Sequence, residues 1–315
     1  MKQKNLKISL WLISLFLFTS LCSSQRNLVS HKTEGGLTLI PGTRIYLEPP
    51  SGFQLSKDFI GLENGDNEII RFYDMYGTDY YANSNKYTKK AYEKIGAIVY
   101  DFEETIIDDY YGKVLVTNSD YANRAVTLVF GDAFFSVLGV AVTNNTNNTE
   151  VSHLINSFKS IKYDKDREIG SMEAAFFSVD VEKSGFELFF QANEIFHFTE
   201  NGEYPNDTSS SYVINQILVD PTNPNLKLVV DNIINSSIEK GFKVTSRKQT
   251  SKNKINGYDC FQEMVYGESE GVKTQTVFTA INNGRRAVVI MGSAKENFKE
   301  NIEKFNEITS SLKFN

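Results

Sequence analysis

The chain has 315 residues, 41% of them hydrophobic and 23% charged, with a formal net charge of -6. That is enough chain for two domains of ordinary size, and the composition excludes wholesale disorder. The acidic balance excludes nucleic acid, whose binding needs clustered Lys and Arg to displace counterions, and it weighs against an anionic membrane surface.

In chain order, the first residues read MKQKNLKISLWLISLFLFTSLCSSQRN. A basic start, an apolar run from Ile8 to Leu21 and small polar residues after it are the pattern of a secretory signal peptide, expected over residues 1–24. The run is 14 residues long, below the roughly 18 to 20 that a spanning helix needs. Export follows, with an uncleaved N-terminal anchor as the alternative. Losing Lys2, Lys4 and Lys7 would take the charge from -6 to -9. Cys22 closes the apolar run and raises a second reading, lipid attachment at that cysteine. Leu21 departs from the small residue a lipobox places there, and ordinary cleavage after Cys22 or Ser24 fits as well. A polar tail, 25–37, leads into the folded part.

Two units are expected, at 38–165 and 175–315, joined by a charged linker, 166–174. In the first, RFYDMYGTDYYANSNKY places Tyr76, Tyr80, Tyr81 and Tyr87 around a Gly-Thr-Asp turn and an Asn-Ser-Asn loop. Tyrosine joins a large apolar ring to a polar tip, so this cluster is a candidate contact surface; the competing reading is that it covers the first helix and the sheet edge. The stretch YTKKAYEKIG reads as a helix with Ala91, Tyr92 and Ile95 inward. Strand-like runs IVYDFEETII and KVLVTN and a hairpin turning at Gly131-Asp132 come next. A closing helix follows, with Val151, Leu154, Ile155, Phe158 and Ile161 at helical spacing. The second unit repeats the plan. Leu226, Val229, Val230, Ile233, Ile234 and Ile238 line a helix ending at Gly241, and two strands precede a hairpin at Asn283-Gly284. Phe298, Ile302, Phe305, Ile308 and Leu312 line the last helix.

Glycine spacing shows that this is a duplication. Gly96 and Gly112 are 16 apart, as are Gly241 and Gly257; Gly131 and Gly139 are 8 apart, as are Gly284 and Gly292. Glycines mark turns and helix ends that a fold cannot easily move. Each half also ends in Ser-(Ile/Leu)-Lys-(Tyr/Phe). Strands apolar on both faces, such as RAVVIM, ask for cover on both sides, so each unit should be an antiparallel sheet between helices, in class α+β.

The opening phrase IPGTRIYLEPPSGF and the closing Ser-(Ile/Leu)-Lys-(Tyr/Phe) phrases resemble the PsbP and DcrB-like superfamily of α/β/α sandwich domains, over both halves. The resemblance implies a non-enzymatic domain that works by docking onto something else; it supplies no active-site motif, and fold analogy fixes no partner.

The residues themselves offer little chemistry. His31, His153 and His197 stand apart, and no His-Glu-x-x-His or Cys-x-x-Cys spacing offers a transition-metal site. Asp101, Glu103, Glu104, Asp108 and Asp109 lack the spacing of a calcium loop and read as a strand running into a turn. No Gly-x-Ser-x-Gly elbow or phosphate-cradling glycine loop appears. Cys260, in an alternating strand, reads as a buried, inert thiol. Catalytic, cofactor and metal residues are therefore expected to be none. The expected function is that of an exported envelope, periplasmic or secreted protein that docks onto an unidentified envelope or extracellular protein. It would touch a membrane only through a lipid on Cys22. The alternatives are a carrier or sensor holding a small molecule at the domain junction, and a hydrolase with no recognisable motif. Sequons begin at Asn144, Asn147, Asn206 and Asn235 and matter only in a host that glycosylates.

Overall fold

The computed structural model describes residues 36–65, 68–119, 122–182, 184–206 and 209–315. The expected signal segment, with Trp11 and Cys22, and His31 lie outside the described residues.

The first unit runs through strands β1 (Thr38–Leu39), β2 (Ile45–Leu47), β3 (Gln54–Leu55), β4 (Gly61–Asn64) and β5 (Glu68–Tyr76). Helices α1 (Tyr80–Ser84) and α2 (Lys89–Lys94) follow, then β6 (Val99–Ile107), β7 (Tyr110–Thr117), β8 (Arg124–Gly131), β9 (Phe135–Thr143), helix α3 (Asn148–Lys159) and β10 (Lys162–Tyr163). The main sheet is antiparallel, ordered β3-β4-β5-β9-β8-β7-β6. Side chains of a strand point alternately to opposite faces, and both faces are covered. Phe72, Leu128, Phe130 and Val137 pack under Leu154 and Phe158 of α3, while Leu115, Val129 and Leu138 pack under Tyr80 and Tyr87. Helix α3 starts where the Asn147 side chain accepts from the Thr149 N–H, and it carries Glu150 in its first turn and Lys159 in its last, as the helix dipole favours.

The second unit holds β11 (Phe177–Ser178), β12 (Phe186–Ala192), β13 (Ile195–Glu200), β14 (Ser211–Leu218), helix α4 (Leu226–Glu239), β15 (Lys243–Gln249) and β16 (Lys254–Ile255). It ends with β17 (Tyr258–Ser269), β18 (Val272–Asn283), β19 (Arg286–Ala294), helix α5 (Phe298–Ser311) and β20 (Lys313–Phe314). Its sheet order, β12-β13-β14-β19-β18-β17-β15, is that of the first unit strand for strand. Phe186, Ile214 and Ile290 pack under Phe305 and Ile308 of α5, and Val265, Phe278 and Val289 under Val230 and Ile234 of α4. Each unit is therefore an α/β/α sandwich, and the class is α+β.

The duplication is visible to single residues. Phe72 of β5 faces Gly139 of β9 as Tyr212 of β14 faces Gly292 of β19. Those glycines leave room for the Phe158 and Phe305 rings of the closing helices. The outer strands β6 and β15 carry a bulge at the same place, before Asp101 and before Ser246. The shared Ser-(Ile/Leu)-Lys-(Tyr/Phe) phrase also acquires a role. After each closing helix, Lys162–Tyr163 pairs with β2 and Lys313–Phe314 with β11, sewing the unit's exit to its entry.

One helical reading needs correction. Helix α2 stops at Lys94, and Ile95, expected inward, is its C-cap before the left-handed Gly96 (φ 88°) and lies 76% exposed. A second short helix, α1, also stands where a turn and a loop were expected, because the Asp79 side chain caps a helical start there as Thr88 does for α2.

Ion pairs join the units. The β12–β13 turn brings Glu194 to Arg71 of β5, with Nη2 at 2.6 Å from each carboxylate oxygen, and the neighbouring Asn193 Oδ1 accepts from the Asp74 N–H at 2.8 Å. The β18–β19 turn brings Arg285 to Glu63 (3.4 Å) and Asp58 (3.7 Å), and Arg286 to Asp58 (3.6 Å). Within the expected linker, Glu173 accepts from the Gly42 N–H (3.1 Å) and from Arg167 (2.5 Å). Charged side chains thus line the junction between the units.

Candidate functional site: an aromatic rim at one end of the first unit

The four singled-out tyrosines part company in the fold. Tyr80 and Tyr87 are buried beneath α1 and α2, while Tyr76 and Tyr81 are more than half exposed. Strand β5 ends at Tyr76, whose ring lies under Arg44 with the guanidinium carbon 4.3 Å from its centroid. The next residue, Gly77 (φ 81°), donates its N–H to the Phe134 carbonyl at 2.7 Å, at the tip of the β8–β9 hairpin. The Tyr80 N–H reaches the Asp132 carbonyl of the same tip at 2.8 Å, and Asp132 Oδ1 holds the tip by accepting from the Phe134 and Phe135 N–H groups. The tyrosine segment and the hairpin tip are therefore one surface.

Sequence reasoning missed three members of it. Phe134 sits at the hairpin tip, and Ile106 and Tyr111 face each other across β6 and β7, with Tyr111 in turn opposite Gly131. Tyr76, Tyr81, Ile106, Tyr111 and Phe134 are between 51% and 75% exposed. Tyr76, in step with Phe72 and Asp74 along β5, faces the α3 side of the sheet, whereas Ile106 and Tyr111, in step with Leu115, face the α1 side, so the five meet only around the end of the sheet. Three come from strands and a hairpin tip that alternation alone would have made ordinary solvent positions.

Carboxylates lie beside these residues. Asp79 caps α1, and Asp108 and Asp109, both with positive φ (47° and 69°), form the β6–β7 turn. The Tyr110 hydroxyl beside them is pushed up by burial and then by Asp132, Asp108, Asp109 and Asp166 together. Asp108 is partly neutralised by Lys162 at 2.9 Å. The rest of the acidic run lies along β6, with Glu103 paired to Lys159 of α3 at 2.8 Å. The outcome is a group of exposed apolar side chains at one end of the sheet, with carboxylates and Arg44 beside it.

Elsewhere, Cys260 is buried, which pushes its thiol up. His153 is half exposed near Glu150. His197 stands edge-on to Phe189 at 5.8 Å, with its Nε2 buried and unpartnered. Burial holds the His197 imidazole below its ordinary value. Its proton is therefore taken up more readily by the unfolded chain, and stability should fall as the pH drops through about 6.5. Urea midpoints at successive pH values should fall less steeply in His197→Gln. A cavity lined by Pro50, Phe53, Glu68, His153 and Leu154 measures about 20 Å³, room for a water.

No family model and no curated protein matches the chain. Solved structures similar to it include cyanobacterial PsbP (CyanoP) from Synechocystis, at 13% identity and a TM-score of 0.29, covering 48% of this chain and 100% of that one. LpqN of Mycobacterium tuberculosis, described as involved in cell envelope biogenesis, is similar at 10% identity and a TM-score of 0.32, over 43% and 81%. The apo immunity protein TplEi of the T6SS from Pseudomonas aeruginosa is similar at 11% identity and a TM-score of 0.31, over 89% and 97%. At these identities and TM-scores they carry no conclusion about this chain. By its own strand order, paired flanking helices and internal repeat, the chain is a tandem of two α/β/α sandwiches.

Proposed function

We propose that the protein is an exported, non-catalytic accessory module that works by docking onto another protein through the aromatic rim of its first unit. The observation that carries this reading is the gathering of Tyr76, Tyr81, Ile106, Tyr111 and Phe134 at one end of the sheet, held by the Gly77–Phe134 and Tyr80–Asp132 backbone bonds. Large aromatic side chains on a stiff frame give much contact area at little entropic cost, which is why they dominate interface energetics. The carboxylates beside the rim select a partner whose matching face is basic around an apolar centre, since potentials across an interface are complementary. The N-terminal apolar run supports export, to the cell envelope or beyond.

The test places a photo-crosslinking amino acid at Phe134 and, as a control, at the exposed Leu228 of α4, in the native host. The expected result is one partner crosslinked from position 134, not from 228, and lost when Tyr81→Ser and Tyr111→Ser are combined. Removing two such side chains should weaken the complex by roughly 30-fold or more with the circular dichroism unchanged. Identical crosslinks from both positions would remove the rim from consideration.

A further inference from the structure

The opposite end of the first unit carries a surface of a different kind. Tyr100 is the second residue of strand β6 and Ile106 the last but one, so these two positions are about 20 Å apart at ordinary strand rise. There the fold leaves Ile95 76% and Ile98 56% exposed, beside a half-exposed Tyr100. These are not loose ends. The Ile95 N–H bonds the Tyr92 carbonyl, Gly96 bonds Glu93, Ala97 bonds Tyr92, and Ile98 exchanges bonds with Asn118, so the two isoleucines project from a tied helix end. Cations are close along the chain, with Lys89 in an exposed pair with Glu93 at 3.8 Å. Lys86, Lys89, Lys90 and Lys94 fall within nine residues, and Arg124 lies over the Tyr100 ring at 3.7 Å. Across residues 86–101 the carboxylates are Glu93 and Asp101. All four lysines are exposed, while Ala91 and Tyr92 turn inward.

The internal repeat provides a control that a single domain lacks. Gly96 corresponds to Gly241, and the bulge before Asp101 corresponds to the bulge before Ser246. In that register Ile95, Ile98 and Tyr100 correspond to Lys240, Lys243 and Thr245. The same helix end, glycine and bulge are built in the second unit with polar residues at all three positions. The fold therefore does not require the isoleucines, and their exposure in the first unit costs solubility without helping packing.

We propose that this corner, formed by Lys86, Lys89, Lys90, Lys94, Ile95 and Ile98, binds the surface of an anionic phospholipid bilayer. Aliphatic tips enter the boundary between headgroups and acyl chains, and lysines around them meet the lipid phosphates while their stems lie along the surface. A tyrosine at the rim suits the same interface. The charge of the whole chain opposes this, but the field near a membrane decays within a Debye length, so the local excess of cations decides. Attachment here leaves the aromatic rim, at the far end of the sheet, facing away from the bilayer.

The test is co-sedimentation with phosphatidylcholine vesicles, with and without phosphatidylglycerol. It uses the chain as its host exports it, carrying Cys22→Ser so that no acyl anchor contributes. Partitioning is expected to favour the phosphatidylglycerol vesicles and to weaken with salt. Each lysine should be worth roughly fivefold at low salt, so Lys89→Gln/Lys90→Gln/Lys94→Gln should lose about two orders of magnitude. Ile95→Ser/Ile98→Ser should weaken binding to both vesicle types, and Lys240→Gln/Lys243→Gln/Lys248→Gln, equal in charge change, should leave it intact. Equal partitioning to both vesicle types would overturn the proposal. So would loss with the lysine variant but not the isoleucine pair, which would reduce the contact to charge alone with no entry of the aliphatic tips.

Discussion

Arg71→Ala should destabilise the protein by about 3 kcal/mol, the largest loss expected from a single charged residue. Arg71 and Glu194 belong to different units, their side chains are only 22% and 12% exposed, and both carboxylate oxygens stand 2.6 Å from one guanidinium nitrogen. The guanidinium also lies over the rings of Phe59 (5.5 Å) and Tyr73 (5.7 Å), which exclude water on its flat faces. Removing the arginine leaves Glu194 desolvated with no partner, and that, more than the lost attraction, sets the cost. The double replacement Arg71→Met/Glu194→Leu should recover most of it, because two apolar side chains leave no orphan charge. By contrast, Lys89→Ala, which breaks the exposed pair with Glu93 at 3.8 Å, should cost less than about 0.5 kcal/mol. Urea denaturation of the four proteins gives the comparison. The wild-type chain should unfold in one transition and Arg71→Ala in two, because the ion pairs at the two turns couple the units. A single transition shifted by less than about 1 kcal/mol would mean that the pair is no more than a surface bridge.

This junction was invisible in the sequence. Arg71 sits in a strand and Glu194 in a hairpin turn 123 residues later, and no local pattern pairs such residues. What the sequence does carry is what repeats: Gly96 with Gly241, Gly139 with Gly292, two closing helices and two closing phrases; Gly112 and Gly131 lie inside strands whereas Gly257 and Gly284 lie in turns, so those equal spacings mark no shared place in the fold. The tyrosine cluster was legible as a composition but not as a geometry. Asp79 starts a helix that turns Tyr80 under the sheet and Tyr81 out, and the Asn-Ser-Asn stretch that reads as a loop lies within and just after that helix. Phe134, Ile106 and Tyr111 join the rim through hairpin tips and cross-strand pairs, contacts that only the sheet order brings about. Ile95 was misplaced for a related reason. Periodicity extends a helical stripe as far as apolar residues continue it, whereas the helix ends at Lys94, before Ile95 can face the core.

Gly292→Ala tests the repeat from its core. A methyl there would stand 2.6 Å from Cγ and Cδ2 of Phe305 and 3.0 Å from its Cβ. Those atoms are the root of the side chain on α5, and the ring is fenced by Phe186 (5.6 Å) and Tyr212 (5.7 Å), so it cannot swing aside. The helix must lift, at about 3 kcal/mol, the upper part of the usual range for an overpacked core. Helix α5 is the element that would give, since Asn297 ahead of it is left-handed and makes no side-chain cap. At the equivalent Gly139 the methyl would meet Phe158 and Phe72 at 3.1 Å, through ring edges that a small tilt can move. Gly139→Ala should therefore cost closer to 1 kcal/mol, at the lower part of that range. The discriminating experiment is a double-mutant cycle with Phe305→Ala, which removes the colliding ring. If the ring is the obstacle, adding Gly292→Ala to Phe305→Ala should cost almost nothing, and the two changes should be strongly non-additive. Additive losses would place the cost of Gly292→Ala in the strand backbone, and the shared glycine would then mark a sheet requirement in place of a seat for the closing helix.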